Sequence, residues 1–136
     1  MADYKVTMRP GNVFNTSANT ANQVAATIPT DEIGDNVAFS VTAHVRAVAT
    51  DDFDEAFDHA AVGTFLREGA TLTQVGSTRS LYTANDTNGS RSFNFNVDGD
   101  DIQVRVVPND ATPLTWSIDL DVNVMSAYEA NSGWTH

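Results

Sequence analysis

At the centre of SFNFNVDGDDIQVRV (92–106), Asp98, Asp100 and Asp101 gather three carboxylates around Gly99, close enough in sequence to suggest a calcium loop. Calcium takes six to eight oxygens from a folded loop, and an EF-hand sets them at fixed positions ending in a bidentate glutamate. Asn94, Asn96, Asp98 and Gly99 fit the first, third, fifth and sixth positions, but the twelfth is Arg105, a cation. The EF-hand register therefore fails. What stays open is a looser calcium site from Asp98, Asp100 and Asp101, set against a solvated hairpin tip.

A second acidic run, Asp51, Asp52, Asp54, Glu55 and Asp58 with His59, is the other metal candidate. Consecutive acids on a short helical turn diverge around it, which favours a solvated charged face. Hydrolytic chemistry finds little footing. His44 falls on the polar side of an alternating run, His136 is the last residue, and no Gly-x-Ser-x-Gly elbow occurs. No carboxylate pair stands out for glycoside hydrolysis, and Gly69, Gly76, Gly89 and Gly99 are isolated rather than grouped in a phosphate-binding loop. No enzyme activity, no cofactor and no metal are expected.

Composition narrows the partners. The 136 residues suit one domain, 1–136, with a hydrophobic fraction of 41% and a net charge of −11. That charge repels nucleic-acid phosphate and anionic membranes, so neither is an expected partner. The absence of cysteine excludes disulfides and thiolate metal sites. The opening Met1–Lys5 has no basic segment leading into an apolar stretch, so no secretion signal is expected.

The elements that must position these residues read as strands. Val37, Phe39, Val41, Ala43, Val45 and Ala47 alternate with Ala38, Ser40, Thr42, His44 and Arg46. The chain closes in the same way, with Leu114, Trp116, Ile118, Leu120, Val122 and Val124 on one face and Asp119 and Asp121 on the other. This is the period of a half-buried strand. Phe93, Phe95 and Val97, then Ile102, Val104 and Val106, form two such runs around an Asp-Gly turn, a strong hairpin signal. With shorter runs at 4–8, 23–28, 60–66 and 71–83, about eight strands are expected in one antiparallel β-sandwich. Phe53, Ala56 and Phe57 predict at most one short helical turn near 51–58. Segments 9–22 and 125–136 read as polar arms, with Val13, Phe14, Tyr128 and Trp134 as interface candidates, Trp being a favoured anchor.

Residues 60–124, through Leu72-x-x-Val75-Gly76-Ser77, the Asp-Gly hairpin into Ile102–Val106, and Thr115-Trp116 opening the last strand, resemble a small β-sandwich domain of tailed-bacteriophage virion proteins. The resemblance implies a jelly-roll-like sandwich, homo-oligomeric assembly and no catalytic residues. The stand-alone domain is most like a capsid decoration, or cement, protein. Such a protein would be made in the host cytoplasm, bind the major capsid protein as a homotrimer and sit on the outer capsid surface of the virion. Two other expectations compete: a tail, neck or head-fibre module recognising host glycan, and a calcium-dependent adhesive domain. The first needs aromatic side chains on a solvated face, for which Tyr82, Tyr128 and Trp134 are the candidates.

Overall fold

A computed structural model describes residues 3–8, 13–16, 22–50, 53–109 and 112–126. The alternating runs become ten strands among the described residues: β1 (Asp3–Met8), β2 (Val13–Thr16), β3 (Gln23–Pro29), β4 (Val37–Ala49), β5 (Ala56–Glu68), β6 (Thr71–Ser80), β7 (Asn85–Asp86), β8 (Ser92–Asp98), β9 (Asp101–Val107) and β10 (Leu114–Ser126). They form two antiparallel sheets in a sandwich. The large one runs β1-β10-β4-β5-β6, with β2 also on β10 and β7 also on β5; the small one runs β3-β9-β8. Consecutive β4, β5 and β6 pair as hairpins, and β10 returns from the small sheet to lie beside β4, which is a Greek-key order. Among the described residues no helix is long and apolar enough to cross a membrane.

The period of two places one face of each long strand in a shared core. Val41, Ala43 and Val45 of β4, Phe65 of β5, Ile102, Val104 and Val106 of β9, and Trp116, Ile118 and Leu120 of β10 are all buried. Phe93 and Phe95 of β8 join them. Aromatic rings pack through this core, Trp116 to Phe57 at 5.5 Å, Phe93 to Phe95 at 6.1 Å and Phe65 to Phe39 at 6.1 Å, and the contact of Phe95 with Phe65 at 5.7 Å crosses between the sheets. The indole N–H of Trp116 donates to Thr16 Oγ1 at 3.0 Å, so the buried ring keeps its polar atom satisfied.

Three local expectations change. The one short helical piece among the described residues is a 3-10 turn at Thr30–Glu32, not near 51–58. Residues 56–58 open β5, because Phe57, His59 and Ala61 also obey a period of two, and pairing with Val45 and Ala47 rewards that choice. Segment 9–22 is not all arm, since Val13–Thr16 pairs with Leu114–Ser117. Met125 and Ser126 likewise belong to β10, while residues 127–136 lie outside the described residues.

Two buried arginines fasten the ends of the sandwich. At one end Arg91, with its side chain 0% exposed, meets Glu55 at 2.5 Å and Asp86 at 3.0 Å. Burial alone would raise Asp86; the Arg91 and Asn88 N–H groups and the Arg91 guanidinium outweigh it and hold the carboxyl below its ordinary value. At the other end Arg67 donates to Gly69 O at 3.0 Å and Thr30 Oγ1 at 3.3 Å, with Asp35 and Asp100 at 3.4 and 3.6 Å.

Candidate functional site

The hairpin tip that raised the calcium question is engaged in folding contacts. Asp100 O accepts from Thr30 N at 2.9 Å and Thr30 Oγ1 at 2.6 Å, and its carboxylate faces Arg67. Asp98 Oδ2 accepts from Gln103 Nε2 at 3.2 Å. Asp98 and Asp101 are the paired residues that close the β8–β9 hairpin. Among the described residues no group of three His, Asp or Glu is placed to hold a metal ion. The second acidic run is dispersed as well: Glu55 binds Arg91, Asp58 binds His44, and Asp51 and Asp52 lie outside the described residues.

The interface candidates fare unevenly. Val13 and Phe14 lie at β2 positions opposite Ser117 and Trp116. Tyr128 and Trp134 lie outside the described residues.

What the fold does assemble is a polar patch on the face of the large sheet that points away from the core. Antiparallel register sets Asp119 of β10 opposite His44 of β4, and Arg46 of β4 opposite Asp58 of β5. The side chains then pair on the diagonals. His44 Nε2 lies 2.6 Å from Asp58 Oδ1, and Arg46 donates to Asp119 Oδ2 at 2.6 Å. The other oxygen of Asp119 has no hydrogen-bond partner among the described residues. Ser117, Thr42 and Asp121 continue the same face by register.

Tyr82 stands at the margin of this patch, 36% exposed. Its hydroxyl is raised above the ordinary tyrosine value, first by burial and then by its hydrogen bond to Asp58 and that residue's charge, against the pull of Arg46. The ring rests edge-on against His59 at 6.1 Å. His59 is packed in turn against Phe93 at 5.2 Å and Phe57 at 6.3 Å, and its Nε2 meets Ser80 Oγ at 3.0 Å. Burial holds this imidazole below its ordinary value, although the Asp58 charge and the Tyr82 backbone act in the other direction. Beyond it, Phe53 is 74% exposed at a φ of 58°, a left-handed conformation that bulky residues avoid.

The sequence marks Tyr82, Asp58 and His59 as candidates and sets His44, Arg46 and Asp119 on polar strand faces, but does not bring them together. Asp58 and Asp119 are 61 residues apart in sequence and meet only through the order β10-β4-β5. The one visible signal was polar side chains at every second position of two long strands.

No protein-family model matches the chain, and no curated protein matches it. Among solved structures the chain is similar to the tailspike protein gp49 of Acinetobacter baumannii bacteriophage Fri1, a capsular polysaccharide depolymerase. That match has 14% identity and a TM-score of 0.48, over 93% of this chain and 18% of that one. It is also similar to the tailspike protein of Acinetobacter baumannii phage AM24, at 11% identity and a TM-score of 0.43, over 92% of this chain and 26% of that one. A third is the tailspike protein of Acinetobacter phage vB_ApiP_P1, at 12% identity and a TM-score of 0.32, over 85% and 21%. The chain thus spans 18% to 26% of the length of these three structures.

Proposed function

We propose that this chain is a non-catalytic attachment domain of a tailed-phage virion, carried by a tail or fibre and engaging carbohydrate on the host surface. The observation that supports this reading is the exposed Tyr82 ring beside the crossed His44–Asp58 and Arg46–Asp119 pairs on a solvated sheet face. A rigid aromatic edge next to several oriented donors and acceptors is how proteins grip polyhydroxylated ligands, and the diagonal pairs hold those groups in place before any ligand arrives. The likeness of residues 60–124 to virion sandwich domains supplies the setting.

The cement role is the weaker alternative. It drew its shell contacts from the arms at 9–22 and 125–136, and Val13–Thr16 and Met125–Ser126 are already committed to the large sheet. A single shallow sheet-face site binds weakly, so the proposal includes presentation in several copies, with a homotrimer as the assembly and multivalency supplying avidity.

The test is direct. Purified protein is sized by light scattering, then incubated with host cells and, separately, with undecorated capsid shells. Adherence to cells that is abolished by removing their surface polysaccharide supports the reading. Co-sedimentation with shells and no adherence to cells would transfer the protein to the capsid.

A further inference from the structure

The patch has a charge pattern that selects among carbohydrates, and this inference rests on the attachment reading above. We infer that the site takes an uncharged, hydroxyl-rich glycan, of neutral hexose or N-acetylhexosamine type, and discriminates against uronic and sialic acids.

The argument begins with the groups already engaged. The patch's guanidinium, Arg46, is held by Asp119 at 2.6 Å, and its imidazole, His44, by Asp58 at 2.6 Å. A ligand carboxylate would meet cations whose charge an adjacent aspartate already offsets, with that aspartate's own charge beside it. Asp58 and Asp119 therefore both border the place where that anion would sit. The protein's net charge of −11 adds a long-range field of the same sign. Arg79 of β6, opposite Val62 of β5, is a further cation at the rim of this face, and it lies beyond β5 from His44 and Arg46.

A sugar hydroxyl meets the opposite situation. It is a donor, and the patch is rich in acceptors. Asp58, whose side chain is 41% exposed, is engaged by His44 through Oδ1, and a carboxylate accepting from a hydroxyl makes a short, charge-assisted bond. Strands about 4.8 Å apart set Asp119, His44 and Asp58 across three neighbouring rows, a spacing that lets successive hydroxyls of a short oligosaccharide find partners in turn. Tyr82 offers its ring to the apolar C–H face of a pyranose, and the edge-on contact with His59 at 6.1 Å supports that ring from the other side.

The experiment is an NMR titration of the full chain with glucose oligomers, galactose oligomers and chitobiose, and in parallel with glucuronate oligomers and sialyllactose. Wild type is compared with Tyr82→Ala, Tyr82→Phe, Asp119→Asn and Arg79→Ala, each first checked for an unchanged fold by its amide spectrum. The expected result is binding of at least one neutral probe. Tyr82→Ala should weaken it by about tenfold or more. Tyr82→Phe, which keeps the ring, should lose less, and Arg79→Ala should change nothing. Raising salt from about 0.05 to about 0.5 M should alter affinity by less than about twofold, because no net ion pair forms. Tighter binding of an acidic probe, weakened by salt and by Arg79→Ala, would overturn the neutral-glycan assignment while leaving the attachment reading intact. Silence towards all five probes in a protein that still adheres to host cells would overturn this inference alone. Failure to adhere to cells would remove the reading beneath it.

Discussion

At the scale of single residues, the two groups with the most at stake are Arg91 and His59. Arg91 is fully covered, and removing it would strand Asp86, whose side chain is only 5% exposed, without its cation. Breaking a buried pair from one side leaves an uncompensated charge, so Arg91→Met should cost about 3–5 kcal/mol in urea unfolding. A loss below about 1 kcal/mol would mean that Asp86 and Glu55 find water or other donors. His59 controls a pH response. Its folded pKa lies below 6.5, so the unfolded chain takes up more protons as pH drops past that value. Stability from this group is complete above 6.5 and is lost as pH falls through the folded value. The urea midpoint should therefore decline between about pH 7 and pH 5, and the His59→Gln variant should show a flatter line over that window. Asp86 acts further down: its folded pKa is lowered, so its contribution is present above the ordinary carboxylate value and disappears only as pH falls through the folded one. An unchanged slope in His59→Gln would assign the decline to carboxylates instead.

At the scale of elements, legibility followed solvent contrast. β4 and β10 each bury one face and wet the other, so residues 37–47 and 114–124 could be read residue by residue from their alternation, while Met125 and Ser126 were expected in the arm. The β8–β9 hairpin was legible for the same reason, helped by Asp98-Gly99. The helical turn expected near 51–58 went astray because Phe53 and Phe57 satisfy both a helical spacing and, with His59, a strand. Only the partner strand β4 decides between them. The polar patch was illegible in principle, since its spacing is set by neighbours in space. Gly63 illustrates the same limit. A Cβ there would stand 2.9 Å from a Phe65 ring atom and 3.0 Å from one of Phe95, where the aromatic chain crosses between sheets. Gly63→Ala should therefore destabilise by about 1–3 kcal/mol through overpacking, despite the gain in strand propensity. A neutral or stabilised variant would show that those rings can shift. The hairpin tip offers a contrasting prediction: Asp98→Asn and Asp101→Asn should leave the melting temperature within a degree or two of wild type, with chelator or without it. A chelator-induced drop in the wild type would restore the calcium site.

At the scale of the whole molecule, the sandwich depends on how β10, one of three strands of 13 residues, is flanked. β10 is central because β4 covers one edge and β1 with β2 covers the other, from Asp3↔Met125 to Thr16↔Leu114. β1 and β2 therefore behave as strands laid onto a body that already contains both sheets. Deleting them would uncover a run of unpaired N–H and C=O groups along a strand of 13 residues and would cost the Trp116 indole its Thr16 partner. An edge that long, with large apolar residues at every second position, is a template for pairing with another chain. The truncated protein should keep its β-type circular dichroism, since the core strands and both arginine fasteners remain. It should also associate in a concentration-dependent way that light scattering detects. Adding a synthetic peptide of residues 1–16 should reverse this association by refilling the edge, as strand addition does in other sheet proteins. Two outcomes argue against this view of the edge: a truncated chain whose particle size matches the parent at every concentration, and one whose association the peptide leaves untouched. The first would mean that β10 is shielded without its N-terminal neighbours. The second would place the sticky surface elsewhere, and the open edges of β6, β3 and β8 would be the next to test.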